Sequence, residues 1–96
     1  MPELDKIIHA PARLRIMSAL MALAASEQLD FRTLSEMLDL TDGNLGAHLQ
    51  TLEEAGYLKL EKSFVNRKPR TYVRATARGR ARFEEHVEAL KKICGV

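Results

Sequence analysis

Between Tyr57 and Arg82 the chain carries nine basic side chains: Lys59, Lys62, Arg67, Lys68, Arg70, Arg74, Arg78, Arg80 and Arg82. Glu61 is the one acid among them, so 26 residues hold a net +8. Fixed positive charge at this density has two uses, a solvated face or contact with a polyanion whose phosphates it neutralises. The whole-chain charge of +2 hides it, because residues 1–56 set nine acids against four bases and residues 83–96 are net −1. Other chemistries find little support. A single cysteine, Cys94, excludes an internal disulfide and a multi-cysteine zinc site. His86 stands next to Glu85 and near Glu88, but neighbours on a helix point about 100° apart, so no metal and no cofactor is expected. With no Gly-rich phosphate loop, nucleophile motif or facing carboxylate pair, an enzyme is not expected either.

The elements that must position this charge follow from periodicity. Ninety-six residues predict a single domain over 1–96. The chain is 46% hydrophobic and 29% charged, the balance of a globular protein. No apolar run reaches the roughly 18–20 residues of a membrane span. The start, Met1-Pro2-Glu3-Leu4-Asp5, is acidic rather than signal-like, so the expected compartment is the cytoplasm, without membrane contact. Leu4, Ile7 and Ile8 predict a short helix over 3–9, which Pro11 interrupts or after which it starts the next. Leu14, Met17, Leu20, Met21 and Ala24 predict a second helix, and Ser26-Glu27-Gln28 a loop. Asp30 suits the cap of a third helix burying Leu34, Met37 and Leu38. Thr41 caps a fourth, with Leu40 stapled onto Leu45 and Leu45, Leu49 and Leu52 inward; Gly56 ends it. The period then changes to two: Leu58 and Leu60, then Thr71, Val73 and Ala75, predict two strands joined by a basic loop, Val65-Asn66-Arg67-Lys68-Pro69. Thr76 can cap a last helix with the stripe Phe83, Val87, Leu90 and Ile93 or Cys94. The fold class is therefore mainly α with a small β-hairpin.

Two helices joined by a tight turn and followed by a basic hairpin form the pattern of a winged helix-turn-helix. The stretch Phe31-Arg32-Thr33-Leu34-Ser35-Glu36-Met37-Leu38-Asp39-Leu40-Thr41-Asp42-Gly43-Asn44-Leu45, with His48-Leu49 and Leu52-Glu53-Glu54-Ala55-Gly56-Tyr57, resembles that of winged-helix transcriptional regulators. Arg67-Lys68-Pro69-Arg70-Thr71, Thr76-Ala77-Arg78-Gly79-Arg80 and Pro11-Ala12-Arg13-Leu14-Arg15-Ile16-Met17 resemble their wing, last helix and first main helix. The resemblance covers nearly the whole chain. It lies close to the ArsR- and MarR-like groups, nearest to small stand-alone regulators without a ligand domain. Paired cysteines of the metal-sensing ArsR branch are absent between Ser35 and Asp39.

On this reading helix 42–55 enters the major groove, and its N-terminal half meets base edges. With Leu45, Leu49 and Leu52 buried, Asn44, Ala47, Gln50 and Thr51 are the base-contact candidates. Asn and Gln can pair with adenine, and Ala can touch a thymine methyl. Gly43 and Gly46 cost a helix roughly 1 kcal/mol each, which points to close backbone approach to DNA or to a loose first turn. The resemblance implies that the wing, residues 62–71, contacts phosphate or the minor groove through Arg67, Lys68 and Arg70. Arg13, Arg15, Arg32 and Thr41 are further backbone candidates, while His48 supports packing or donates to a phosphate. Leu4, Ile7, Ile8, Phe83, Val87, Leu90 and Ile93 are more apolar positions than a small core covers easily, and the resemblance implies that terminal helices pair two subunits. A symmetric dimer would read a pseudo-palindrome. The expected partners are double-stranded DNA and a second copy, with no small-molecule effector evident. A winged-helix protein-interaction module and an RNA-binding domain are the alternatives.

Overall fold

A computed structural model describes residues 4–24 and 27–96. Its order is α1 (Pro11–Met21), β1 (Leu29–Asp30), α2 (Phe31–Leu38), α3 (Asp42–Glu54), β2 (Leu58–Val65), β3 (Lys68–Ala75) and α4 (Ala77–Cys94). The three strands form an antiparallel sheet in the order β1-β3-β2.

Local chemistry sets most boundaries. Asp30 accepts from the Thr33 amide, Thr41 from Asn44 and Thr76 from Gly79, so all three expected caps close their helices. Asp39, in the left-handed region at φ 52°, ends α2 and aims the chain into the turn before α3. Gly56, at φ 82°, follows the end of α3. The wing turns on two residues alone. Asn66 and Arg67 both have positive φ, 51° and 66°, between the facing pair Val65 and Lys68. Paired positive φ values are those of a type I′ hairpin, whose twist matches that of the strands. The expected loop 65–69 is therefore shorter: Val65, Lys68 and Pro69 are strand residues. Pro69 faces Phe64 in a pair without hydrogen bonds, and its missing N–H lies toward an edge that β1, which reaches only Tyr72, leaves uncovered.

Three expectations need correction. Residues 6–8 form a single turn rather than a helix over 3–9, of which residue 3 lies outside the described residues, as does Ser26 of the expected loop. The Asp5 carboxylate takes the amides of Ile7 and Ile8, and Ala10, before Pro11, is held extended at ψ 130°, so no helix can run into α1. Met37 is 56% exposed rather than inward; Phe31, Leu34 and Leu38 define the inner face of α2, and Met37 falls about 100° off its centre. β1 is an added element whose two residues are too few to show alternation.

Ile8, Ile16, Met17, Leu20, Leu34, Leu45, Leu49, Leu52 and Val73 are fully buried in one core. α1 runs through it, touching α2, α3, β3 and α4. Its apolar arc is correspondingly wide, which is why Ile16, off the expected stripe, is buried.

Candidate nucleic-acid interface

α3 presents Asn44, Ala47 and Gln50 to solvent, and Thr51 is half-buried. Thr41 uses its hydroxyl oxygen on the Asn44 amide at 3.2 Å, so its proton remains available to an outside acceptor. Thr51 donates back to the Ala47 carbonyl at 3.2 Å, and Gln50 donates to Glu54 at 3.2 Å. Both polar candidates are thus held along the helix surface, and a base contact by Gln50 would replace the Glu54 bond. The acids at the two ends of α3 are partly occupied. Asp42 lies 3.4 Å from the Ser35 hydroxyl, whose proton goes to the Leu40 carbonyl at 2.7 Å, and Glu53 takes the Leu60 amide at 2.9 Å, tying the end of α3 to β2. A Cβ placed on Gly43 or Gly46 meets nothing within 4 Å. Packing inside the chain therefore does not require either glycine.

The wing stands beside this helix. An open cleft of about 580 Å³ runs between the starts of α2 and α3 and the outer edge of β3, lined by Arg32, Ser35 and Asp42 on one side and Lys68 to Thr71 on the other. Arg67, Lys68 and Arg70 are exposed, and among the described residues none has an ion-pair partner. Asp30 sits close by. Its carboxyl is held below the usual range chiefly by the hydrogen bond from Thr33, with the charge of Arg70 adding to it.

The other basic candidates are engaged within the fold. Arg13 donates from Nε to the Ile7 carbonyl at 2.5 Å and lies 3.5 Å from His48 Nδ1, bracing the N-terminal turn and α1 against α3. Arg15 donates to the Leu38 carbonyl at 2.7 Å and so caps α2. Arg32 pairs with Glu36 at 3.3 Å on an open surface. Arg74 pairs with Glu61 and Arg82 with Glu85, both at 3.3 Å, and Arg80 donates to the carbonyls of Leu23 and Ala24. Arg78 lies over the Tyr57 ring, 5.8 Å from its centre. The +8 segment thus divides into a wing tip with free charge and a base in which Arg74, Arg78, Arg80 and Arg82 have partners within the chain, while Lys59 is exposed. Lys62, exposed within the wing, belongs with the tip; the alternation Leu58, Leu60, Lys62, Phe64 was the signal that places it there.

Of the apolar candidates for pairing, Ile8 has no accessible surface left for a partner. Its side chain is part of the core. Leu4, Ile7, Phe83, Val87 and Leu90 are half-buried, and Ile93 is 68% exposed. Phe83 and Val87 line a second cleft, of about 510 Å³, between Met21 and the outer side of α4. Among the described residues no helix is long and apolar enough to cross a membrane, and no group of three metal-ligating side chains forms.

Comparison with known proteins agrees with this geometry. Residues 12–94 match the family described as a winged helix DNA-binding domain. An uncharacterized protein of Methanocaldococcus jannaschii is 37% identical over 82 residues, covering 85% of this chain and 86% of that protein. The structure of a transcriptional regulator homologue from Pyrococcus horikoshii superposes with a TM-score of 0.84 at 34% identity, covering 93% of this chain and 85% of that one. A MarR-family regulator of Enterococcus faecalis has the same fold, with a TM-score of 0.70 at 24% identity, covering 93% and 74%.

Proposed function

The chain belongs to the family of winged helix DNA-binding domains, and on that premise we propose that it is a homodimeric, sequence-specific transcriptional regulator. α3 enters the major groove, with Asn44, Ala47, Gln50 and Thr51 toward the bases. The wing, residues 62–71, lies on the backbone or in the minor groove. Two subunits pair through the outer side of α4 and read a pseudo-palindrome with half-sites about one helical turn or more apart. The observation that carries this reading is the free charge of Arg67, Lys68 and Arg70 on a two-stranded arm beside an exposed, capped helix. The exposed Ile93 and half-buried Phe83, Val87 and Leu90 on one side of α4 support the pairing.

Titration of a mixed-sequence duplex across a salt series tests it. If six to eight phosphates are neutralised per dimer, log K falls against log salt with a slope near −5 to −7. The triple variant Arg67→Gln, Lys68→Gln, Arg70→Gln loses most of that slope. Salt-independent binding, or none, overturns the reading. Gly46 supplies a separate check. Gly46→Ala should stabilise the fold by about 1 kcal/mol in urea unfolding, since helix propensity improves and the new methyl meets no neighbour. The same methyl should weaken duplex binding, because it stands where the helix backbone approaches the groove. Unchanged affinity would mean that α3 keeps its distance from DNA at this position.

A further inference from the structure

Phe64 is 76% exposed near the tip of the wing. A free aromatic ring there leaves apolar surface in water that the fold does not bury. The register explains why the fold does not cover it. Along β2 the inner face runs Leu58, Leu60, Lys62, Phe64, and across it on β3 stand Ala75, Val73, Thr71 and Pro69. The helices cover the first two pairs and stop; four residues beyond Leu60, Phe64 sits roughly 13 Å further out. Its neighbour across the ribbon is Pro69, and the two-residue turn at Asn66 and Arg67 leaves the tip little freedom to fold the ring back. Between Lys62 and Arg70 there are four cations and no acid. Strand alternation puts Lys62 on the face of Phe64 and places Lys68 and Arg70 on the opposite face.

We propose that Phe64 is an apolar wedge, which the wing drives between two base pairs in the minor groove beside the segment read by α3. The occupant is set by charge. An apolar patch on a protein partner does not call for cations on both faces of the ribbon. A groove walled by two rows of phosphate does, and the stacked bases at its floor offer the ring an apolar slot. Inserting the ring unstacks one step and kinks the duplex toward the major groove, which favours pyrimidine–purine steps such as TA, the easiest to kink. The proposal rests on the DNA-binding reading above.

The test uses a 30-base-pair duplex with 2-aminopurine beside a TA step, and the intact chain as wild type, Phe64→Ala and Phe64→Trp. Phe64→Ala is expected to bind about tenfold more weakly, as befits one lost base–aromatic stack, with an unchanged salt slope. It should lose the bend seen by energy transfer between the duplex ends and the 2-aminopurine signal. Phe64→Trp should restore affinity and bend, with its indole fluorescence quenched on binding. Thermal unfolding should be the same for wild type and Phe64→Ala, because the ring is exposed. If the wild type binds no duplex, the DNA-binding reading itself fails. If it binds and Phe64→Ala matches it in affinity, bend and 2-aminopurine signal, the wedge is overturned. It is equally overturned if Phe64→Ala changes the oligomeric state without DNA, since the ring then meets a second copy.

Discussion

Replacing Gly79 by alanine should lower stability by about 3 kcal/mol or more, a fall in melting temperature on the order of 15 °C for a chain of this size. Gly79 lies in the first turn of α4, where a Cβ would stand 1.9 Å from the Tyr57 carbonyl oxygen and 2.7 Å from its carbon. These are backbone atoms, and their segment is fixed from several sides. The Tyr57 carbonyl accepts from the Thr76 amide at 3.1 Å, and its own amide donates to Leu52 at 3.0 Å. Thr76 also donates its hydroxyl to the Gly56 carbonyl at 2.6 Å, where φ is +82°. The Tyr57 ring is buried, and its hydroxyl donates to Asp5. Nothing there yields by the ångström that a methyl group needs without unseating α4. The helix-propensity gain of alanine, about 1 kcal/mol, offsets only part of this. Urea unfolding of the variant checks it. Stability equal to the wild type would mean that α4 does not rest on Tyr57 as described. The contrast with Gly46, where alanine is expected to stabilise, separates a glycine required by packing from one that packing leaves free.

What the sequence reveals depends on how local the deciding chemistry is. Thr41, Asp30 and Thr76 act within three residues of themselves, so their caps were legible, as was Gly56 after α3. The winged architecture followed from these caps and from the change of period at Tyr57. Partners far along the chain left no such trace. β1 exists because Leu29 and Asp30 meet Val73 and Tyr72 on β3, and Asp5, which caps the short N-terminal turn, is held by His86 and Tyr57 from far along the chain. The charge of the basic segment was visible, but its division was not. Arg80, like Arg15 outside that segment, is held by backbone carbonyl oxygens, and a backbone acceptor has no letter in the sequence. Phe64 read as part of a hairpin, but its exposure depends on where the helices end beneath the sheet. His86 is the plainest case. Its neighbours Glu85 and Glu88 bear only on metal binding, which is not expected there, and nothing in them shows that it is fully buried, against a residue 81 positions away.

That buried histidine makes acid the second large perturbation: stability should be flat above about pH 6.5 and fall as the pH drops below it. The Asp5 amide donates to His86 Nδ1 at 3.0 Å, so Nδ1 carries no proton. The ring's one proton is then on Nε2, 3.4 Å from His9 Nδ1, which accepts it and fixes both tautomers. A second proton would have to enter at Nδ1, against the Asp5 N–H. Burial lowers the His86 pKa from its ordinary 6.5, His9 lowers it further, and the Asp5 carboxylate only partly opposes them. Below 6.5 the unfolded chain therefore binds a proton that the folded chain refuses, and stability falls by at most about 1.4 kcal/mol per pH unit until the folded ring titrates. Asp5 adds a later decline. Burial would raise its carboxyl, but the Tyr57 hydroxyl and the amides of Ile8 and Ile7 outweigh this and hold it below its ordinary 3.8. Its contribution is full above that pH and lost as acid protonates it. The charge of Arg82 favours the ionised Asp5 as well. Because Ile8 is part of the core and the Ile7 carbonyl holds Arg13, the turn over 6–8 should open first and loosen the brace between α1 and His48 on α3. Urea unfolding from pH 8 to 5 follows the loss, and an NMR titration of the two histidine rings assigns it. His86 titrating at or above 6.5, or His86→Leu keeping the same pH dependence down to 5, would sink the argument, because the proton refused by the folded chain would then belong elsewhere.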